Sequence, residues 1–189
     1  METIRQNFLD AGKMMHDFAG EEKNIRNIIL AGEIMVQGIR NDHKIISCGN
    51  GGSMSDAMHF AEELTGLFRD MRPALPAISI SDPSHITCAA NDFGFENIFS
   101  RFIEAVGQPG DILLAISTSG NSQNILNAAV AAEKKEMKIV AITGKDGGKL
   151  AGKCDVEIRA PFSPYSDRTQ ELHITIIHCL IQYIELNVK

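Results

Sequence analysis

Apolar positions along this chain change rhythm near residue 43. Over residues 1–40 they recur at three- and four-residue steps, first Ile4, Phe8, Leu9, Met14, Met15 and Phe18, then Ile25, Ile28, Ile29, Ile34, Met35 and Ile39. That period predicts two helices hinged near Gly20. From Lys44 short apolar runs at 44–48, 77–80, 111–116, 137–142 and 155–158 alternate with stretches of helix formers. Such alternation predicts an α/β fold whose parallel sheet is covered on both faces. A third pattern closes the chain, with Ile174, Ile177, Ile181 and Ile184 repeating at three and four residues. It predicts a long amphipathic helix over 166–188, capped by Ser166 or Asp167. With no linker or repeat, residues 1–189 read as one domain, helical over 1–42 and α/β over 43–189. The N-terminal helical pair has no obvious surface of its own to bury against, which predicts self-association.

Two of the strands empty into unusual loops. Residues 112–116 run into Ser117-Thr118-Ser119-Gly120-Asn121-Ser122, and residues 44–48 into Gly49-Asn50-Gly51-Gly52-Ser53. Hydroxyls, amides and the first N–H groups of a following helix can hold a phosphate without a basic side chain, by amide geometry and helix dipole. The same residues also make ordinary N-caps and turns. Two such loops, both at the carboxyl ends of parallel strands, point to a ligand crevice.

Composition narrows the ligand. The 189 residues are 44% hydrophobic, enough for a sizeable core, and carry a formal charge of −6. An acidic chain lacks the basic footprint of a nucleic-acid surface, so an anion must be held by local geometry. Cys48, Cys88, Cys154 and Cys179 are widely spaced and follow no signal peptide, which predicts reduced, mostly buried thiols in a cytoplasmic protein. The most apolar run, 174–184, contains His178 and Gln182 and falls short of the ~18 residues a membrane span needs.

Candidate chemistry lies on two helical segments. His59 and Glu63, four apart, share a helix face and suit a metal or an acid/base pair, although a surface pair has the same spacing. Gln170, Ile174 and His178 form a second stripe whose polar ends need partners, since burying them unpaired costs about 1–3 kcal/mol each. If the two helices meet, His59, Glu63, Gln170 and His178 suit zinc or a similar divalent ion with a position left for substrate. His173 lies off the stripe and reads as structural. Asn91-Asp92 reads equally as a turn or cap, and Lys145-Asp146-Gly147-Gly148 as a turn.

With these residues in view, the chain resembles the sugar isomerase family over nearly its whole length. The matching stretches are Ser47-Cys48-Gly49-Asn50-Gly51-Gly52-Ser53, residues 56–66, Asn91-Asp92-Phe93-Gly94-Phe95, residues 116–122 and Thr143-Gly144-Lys145-Asp146-Gly147-Gly148. The resemblance implies a three-layer, flavodoxin-like α/β domain with a five-stranded parallel sheet, assembled as a homotetramer with shared sites. It implies that Ser117, Thr118, Ser119 and Ser122 hold a sugar phosphate. It further implies that the loop Asn50, Gly51, Gly52 and Ser53, with Asn91, Asp92, Glu63 and Gln170, contacts substrate. Zinc ligands fall on His59, Glu63, Gln170 and His178.

The implied activity converts sedoheptulose 7-phosphate to D-glycero-D-manno-heptose 7-phosphate through an enediol, with Glu63 and His178 as acid/base groups and Asp167 assisting. A non-catalytic adaptor on the same fold, binding a replication initiator, and an isomerase of another sugar phosphate are the rival readings. Two departures stand out: many family members have arginine where this chain has Leu67, and histidine where it has Met54.

Overall fold

The computed structural model describes residues 1–188. Five strands, β1 Ile45–Cys48, β2 Ala77–Ser79, β3 Ile112–Ser117, β4 Lys138–Thr143 and β5 Val156–Arg159, form one parallel sheet in the order β2-β1-β3-β4-β5. Each begins within a residue of its apolar run. In this order the winding direction reverses between β1 and β3, and doubly wound sheets bind ligands in the crevice outside the strand ends at that reversal. The two small-residue loops leave those two strands.

Among the described residues seven α-helices accompany the sheet, six against its faces and the first outside them: α1 Glu2–Ala19, α2 Glu22–Arg40, α3 Gly52–Thr65, α4 Pro83–Phe93, α5 Ile98–Val106, α6 Gln123–Lys134 and α7 Ser166–Asn187. Strand residues alternate between two cores. Ile45, Ile112, Leu114, Ile116, Val140 and Ile142 pack under α2, α3 and α7, while Ile46, Cys48, Leu113, Ala115, Ile139 and Ala141 pack under α4, α5 and α6. Burial on both faces explains why the strands read as unbroken apolar runs. Because α3 and α7 each descend from the carboxyl end of the sheet on the same face, they lie side by side and run in the same direction. Gly52 meets Gln170, and further along His59 meets His178.

Three expectations need correction. The N-terminal pair is not without a partner in its own chain: α2 buries Ile28, Ala31, Met35, Val36 and Ile39 in the first core. Only α1 is left open, burying Phe18 alone while Ile4, Phe8 and Leu9 stay 64%, 77% and 58% exposed. Neither Ser166 nor Asp167 caps α7; Tyr165 holds the cap position without a side-chain bond, and Asp167 accepts from the N–H of Arg168. The thiols are all free, but only Cys48 is fully buried, with Cys88 and Cys179 exposed. Among the described residues no helix is long and apolar enough to cross a membrane.

His173 is structural, as its place off the polar stripe predicts. Fully buried, its Nε2–H donates to the carbonyl of Thr143 at 2.9 Å, tying α7 to the end of β4. Burial lowers its pKa to about 4, the hydrogen bond opposing. An unfolded histidine binds its proton near 6.5, so this site is fully stabilising above that pH and loses its contribution as pH falls towards 4. The loss is on the order of 3 kcal/mol. Gln keeps a donor for Thr143 and does not titrate, so urea unfolding should show wild type losing stability relative to His173→Gln across that window. Parallel pH curves for the two proteins would show that the ring does not stay neutral.

Candidate active site

The first loop is shaped by close approach. Gly51 has φ +57°, and a Cβ on Gly52 would lie 2.5 Å from Gln170 Oε1. Without a Cβ, Gly52 lets this backbone, at the N-terminus of α3, lie directly against the Gln170 carboxamide of α7. In the second loop Ser117 Oγ donates to Ser122 Oγ at 3.3 Å, and the N–H of Asn121 to Ser119 Oγ at 3.2 Å. Thr118 and Ser119 stay half-buried, beside the first turn of α6, where the N–H groups of Gln123 and Asn124 precede the first bonds back to Ser122. That is the geometry of an anion cradle.

A reciprocal amide pair holds the two loops together. Asn50 Nδ2 donates to Asn124 Oδ1 at 2.9 Å, and Asn124 Nδ2 returns a bond to Asn50 Oδ1 at 2.8 Å. Asn124 is buried and also accepts from the N–H of Ile125. The Asn50 carboxamide is thereby spent largely on bracing, which leaves the loop backbone and glycines to face a ligand.

The second cluster forms where α3 passes α7. His59 Nε2 lies 3.1 Å from His178 Nε2 and 3.3 Å from Glu63 Oε1, and the three ligand atoms fall within 4.8 Å of one another. Glu63 Oε2 is buried with no hydrogen-bond partner. Phe68 stacks on His178 at 5.9 Å and shields one side of the ring. Two facing imidazole nitrogens and an orphaned carboxylate oxygen are what a divalent cation would satisfy, so the donor set fits zinc. Gln170 lies on the same face of α7, two turns before His178, with its carboxamide against Gly52.

Other predicted residues are not drawn into either cluster. Asn91 and Asp92 occupy the last exposed turn of α4, with Asn91 Nδ2 donating to Asp92 Oδ1 and Cys88 Sγ to Asp92 Oδ2. Asp167 is exposed beside Arg168. Ser53 is buried, its N–H turned back to the Asn50 carbonyl. Leu67 is exposed, and Arg69 lies nearby, 5.0 Å above the Phe68 ring. Met54 packs against the second core.

Sequence reasoning missed Asn124, Phe68 and Asp56. The last has a legible signal, since Gly52, Asp56, His59 and Glu63 fall on one helical stripe. Asp56 is buried with Oδ2 unpartnered, and burial raises its pKa to about 6 against the opposing pull of His59.

A sheet of this order with ligand-type loops at its reversal defines a doubly wound α/β domain, and the family model described as SIS domain matches residues 8–144. The chain is 54% identical to the phosphoheptose isomerase of Aeromonas salmonicida (strain A449), covering 97% of this chain and 96% of that one. It is also 54% identical to that of Haemophilus ducreyi, covering 100% and 97%. The solved structure of phosphoheptose isomerase GmhA from Neisseria gonorrhoeae matches at a TM-score of 0.91 and 38% identity, over 98% of both chains. The chain belongs to the SIS-domain family and, within it, to the phosphoheptose isomerases.

Proposed function

We propose that the protein converts sedoheptulose 7-phosphate to D-glycero-D-manno-heptose 7-phosphate, the first step towards the heptose of bacterial lipopolysaccharide cores, in the cytoplasm and as a homotetramer. The reading is carried by the cluster of Glu63, His59 and His178 in a chain 54% identical to phosphoheptose isomerases. An adaptor needs the fold and the cradle but has no use for that cluster.

In the proposed reaction the cradle of Ser117, Thr118, Ser119 and Ser122 anchors the phosphate, and the open sugar chain extends towards α3 and α7. Glu63 takes a proton from C1 while His178 gives one to the carbonyl oxygen at C2, producing the 1,2-enediol. His178 then recovers the proton of the C1 hydroxyl, and Glu63 returns its proton to C2, leaving the aldose. Each proton transfer contributes about 10²- to 10⁴-fold. Oε1 of Glu63 faces His59 while Oε2 lies buried without a partner, so one carboxylate can face the imidazole pair and still hold a proton. Zinc held by His59, Glu63, Gln170 and His178 would polarise the substrate carbonyl as a Lewis acid. Asp167 acts as an assisting acid/base group. Asn91 and Asp92, with the open apolar face of α1, support sites completed by a neighbouring copy.

The test is incubation of the purified protein with sedoheptulose 7-phosphate while aldose formation is followed, with other ketose phosphates in parallel. Turnover of the heptulose phosphate is expected. None from folded, zinc-replete protein overturns the enzyme reading, and turnover of a different ketose alone reassigns the substrate. Chelation followed by verified metal loss should lower activity; unchanged rates would remove zinc from the mechanism.

A further inference from the structure

The helices that carry the reacting groups are joined by a second, dry contact beyond the histidine pair. Arg72 and Glu185 have side chains only 5% and 3% exposed, with Nε to Oε1 at 3.1 Å. Glu185 lies near the end of α7, two turns past His178, and Arg72 on the segment that follows α3. The rest of the guanidinium turns to α3. Nη2 donates to the carbonyl of Glu63 at 2.7 Å, and Nη1 to the carbonyls of Leu64 and Pro73 at 2.9 and 3.1 Å.

Those two helical carbonyls belong to the last turn of α3, where oxygens lack intrahelical partners and the helix dipole is negative. One planar cation caps that turn and anchors it to α7. Lysine has no fork with which to reach the same four acceptors. The backbone of the proposed base is thus held directly by an ion pair whose other end belongs to the helix of the proposed acid.

We infer that Arg72 and Glu185 are positioning residues for the isomerisation, fixing Glu63 on α3 relative to His178 on α7. The inference rests on the isomerase reading, because it assigns the contact a catalytic consequence as well as a structural one. Arg72 touches no substrate; it acts through the Glu63 main chain. A displacement of about 1 Å in a reacting group can cost about 10²-fold in rate.

Arg72→Lys and Glu185→Gln test the inference, each compared with wild type for kcat, KM and inhibition by inorganic phosphate, with folding checked by circular dichroism. Wild-type turnover is the control that tests the isomerase reading separately. The expected result is a kcat lowered about 10²-fold by Arg72→Lys and less by Glu185→Gln. KM and the phosphate inhibition constant should stay within about threefold, because the cradle lies on β3 and α6. Zinc affinity, measured by chelator competition without turnover, should fall about 10- to 100-fold in Arg72→Lys. Unchanged kcat in a folded variant overturns the inference, as does phosphate affinity lost in step with kcat, which would mean general loosening. Failure of both variants to fold would leave the pair a fold determinant only and overturns it too.

Discussion

Glu63→Gln should lower turnover of the sugar phosphate by about 10²- to 10⁴-fold while inorganic phosphate still binds as in wild type. The substitution keeps the volume and one acceptor oxygen but removes the group that can take a proton from carbon. Its consequence is local because Glu63 reaches His59 and His178, whereas the proposed phosphate cradle is built from β3 and the start of α6. An amide at the orphaned Oε2 position would also weaken a cation held there, so zinc content must be measured alongside rate. Loss of turnover with zinc retained assigns the effect to proton transfer; loss of both assigns it to ligation. A rate within threefold of wild type would remove Glu63 from the chemistry.

Gly120→Ala should damage the other half of the site and leave the acid/base cluster standing. At φ +63° a side chain is strained in any surroundings, and here the added Cβ would sit 1.9 Å from the carbonyl oxygen of Gly147. That neighbour is backbone, in a loop held by Leu150 N–H on the Gly120 carbonyl and Lys149 N–H on Asn121 Oδ1. No rotamer change relieves the clash, so the cradle loop must move. Strain at such a position costs about 1–3 kcal/mol, and displacing Ser119 and Ser122 from a bound phosphate costs more. A destabilisation on the order of 3 kcal/mol and at least about a tenfold rise in the phosphate inhibition constant are expected. Chemical denaturation and competition kinetics would measure both. An alanine variant with wild-type phosphate affinity would mean that this loop is not the anion site.

Much of this architecture is legible in the residues. The strand runs could be read because a sheet buried on both sides needs apolar side chains at every position, and the cradle because serine, threonine and glycine cluster where a strand gives way to a helix. The pair His59 and Glu63 was visible through its four-residue spacing and His178 through its stripe with Gln170, but nothing local said that the two helices meet. His178 lies 119 residues on in the chain, and only the packing of α7 beside α3 sets its Nε2 3.1 Å from that of His59. The Asn50–Asn124 and Arg72–Glu185 contacts were likewise invisible, since asparagine and arginine carry no periodic signal of their own. The N-terminal region was misjudged for a similar reason. Helical periodicity identifies an apolar face without saying what covers it, so α1 and α2 looked alike although α2 buries a whole face in the core and α1 buries Phe18 alone.

Local chemistry in the chain by itself determined the elements, the two small-residue loops at strand ends and the residue types able to move protons. Those properties follow from side-chain periodicity and turn preference over a few neighbouring residues, which a linear text preserves. Tertiary structure alone decided the strand order, with its winding reversal between β1 and β3, and the meeting of α3 with α7. It thereby set which imidazole faces which carboxylate. The strand pairings join residues tens of positions apart and the helix contact joins His59 to a residue 119 positions on, and their energies depend on shared burial, which no local pattern records.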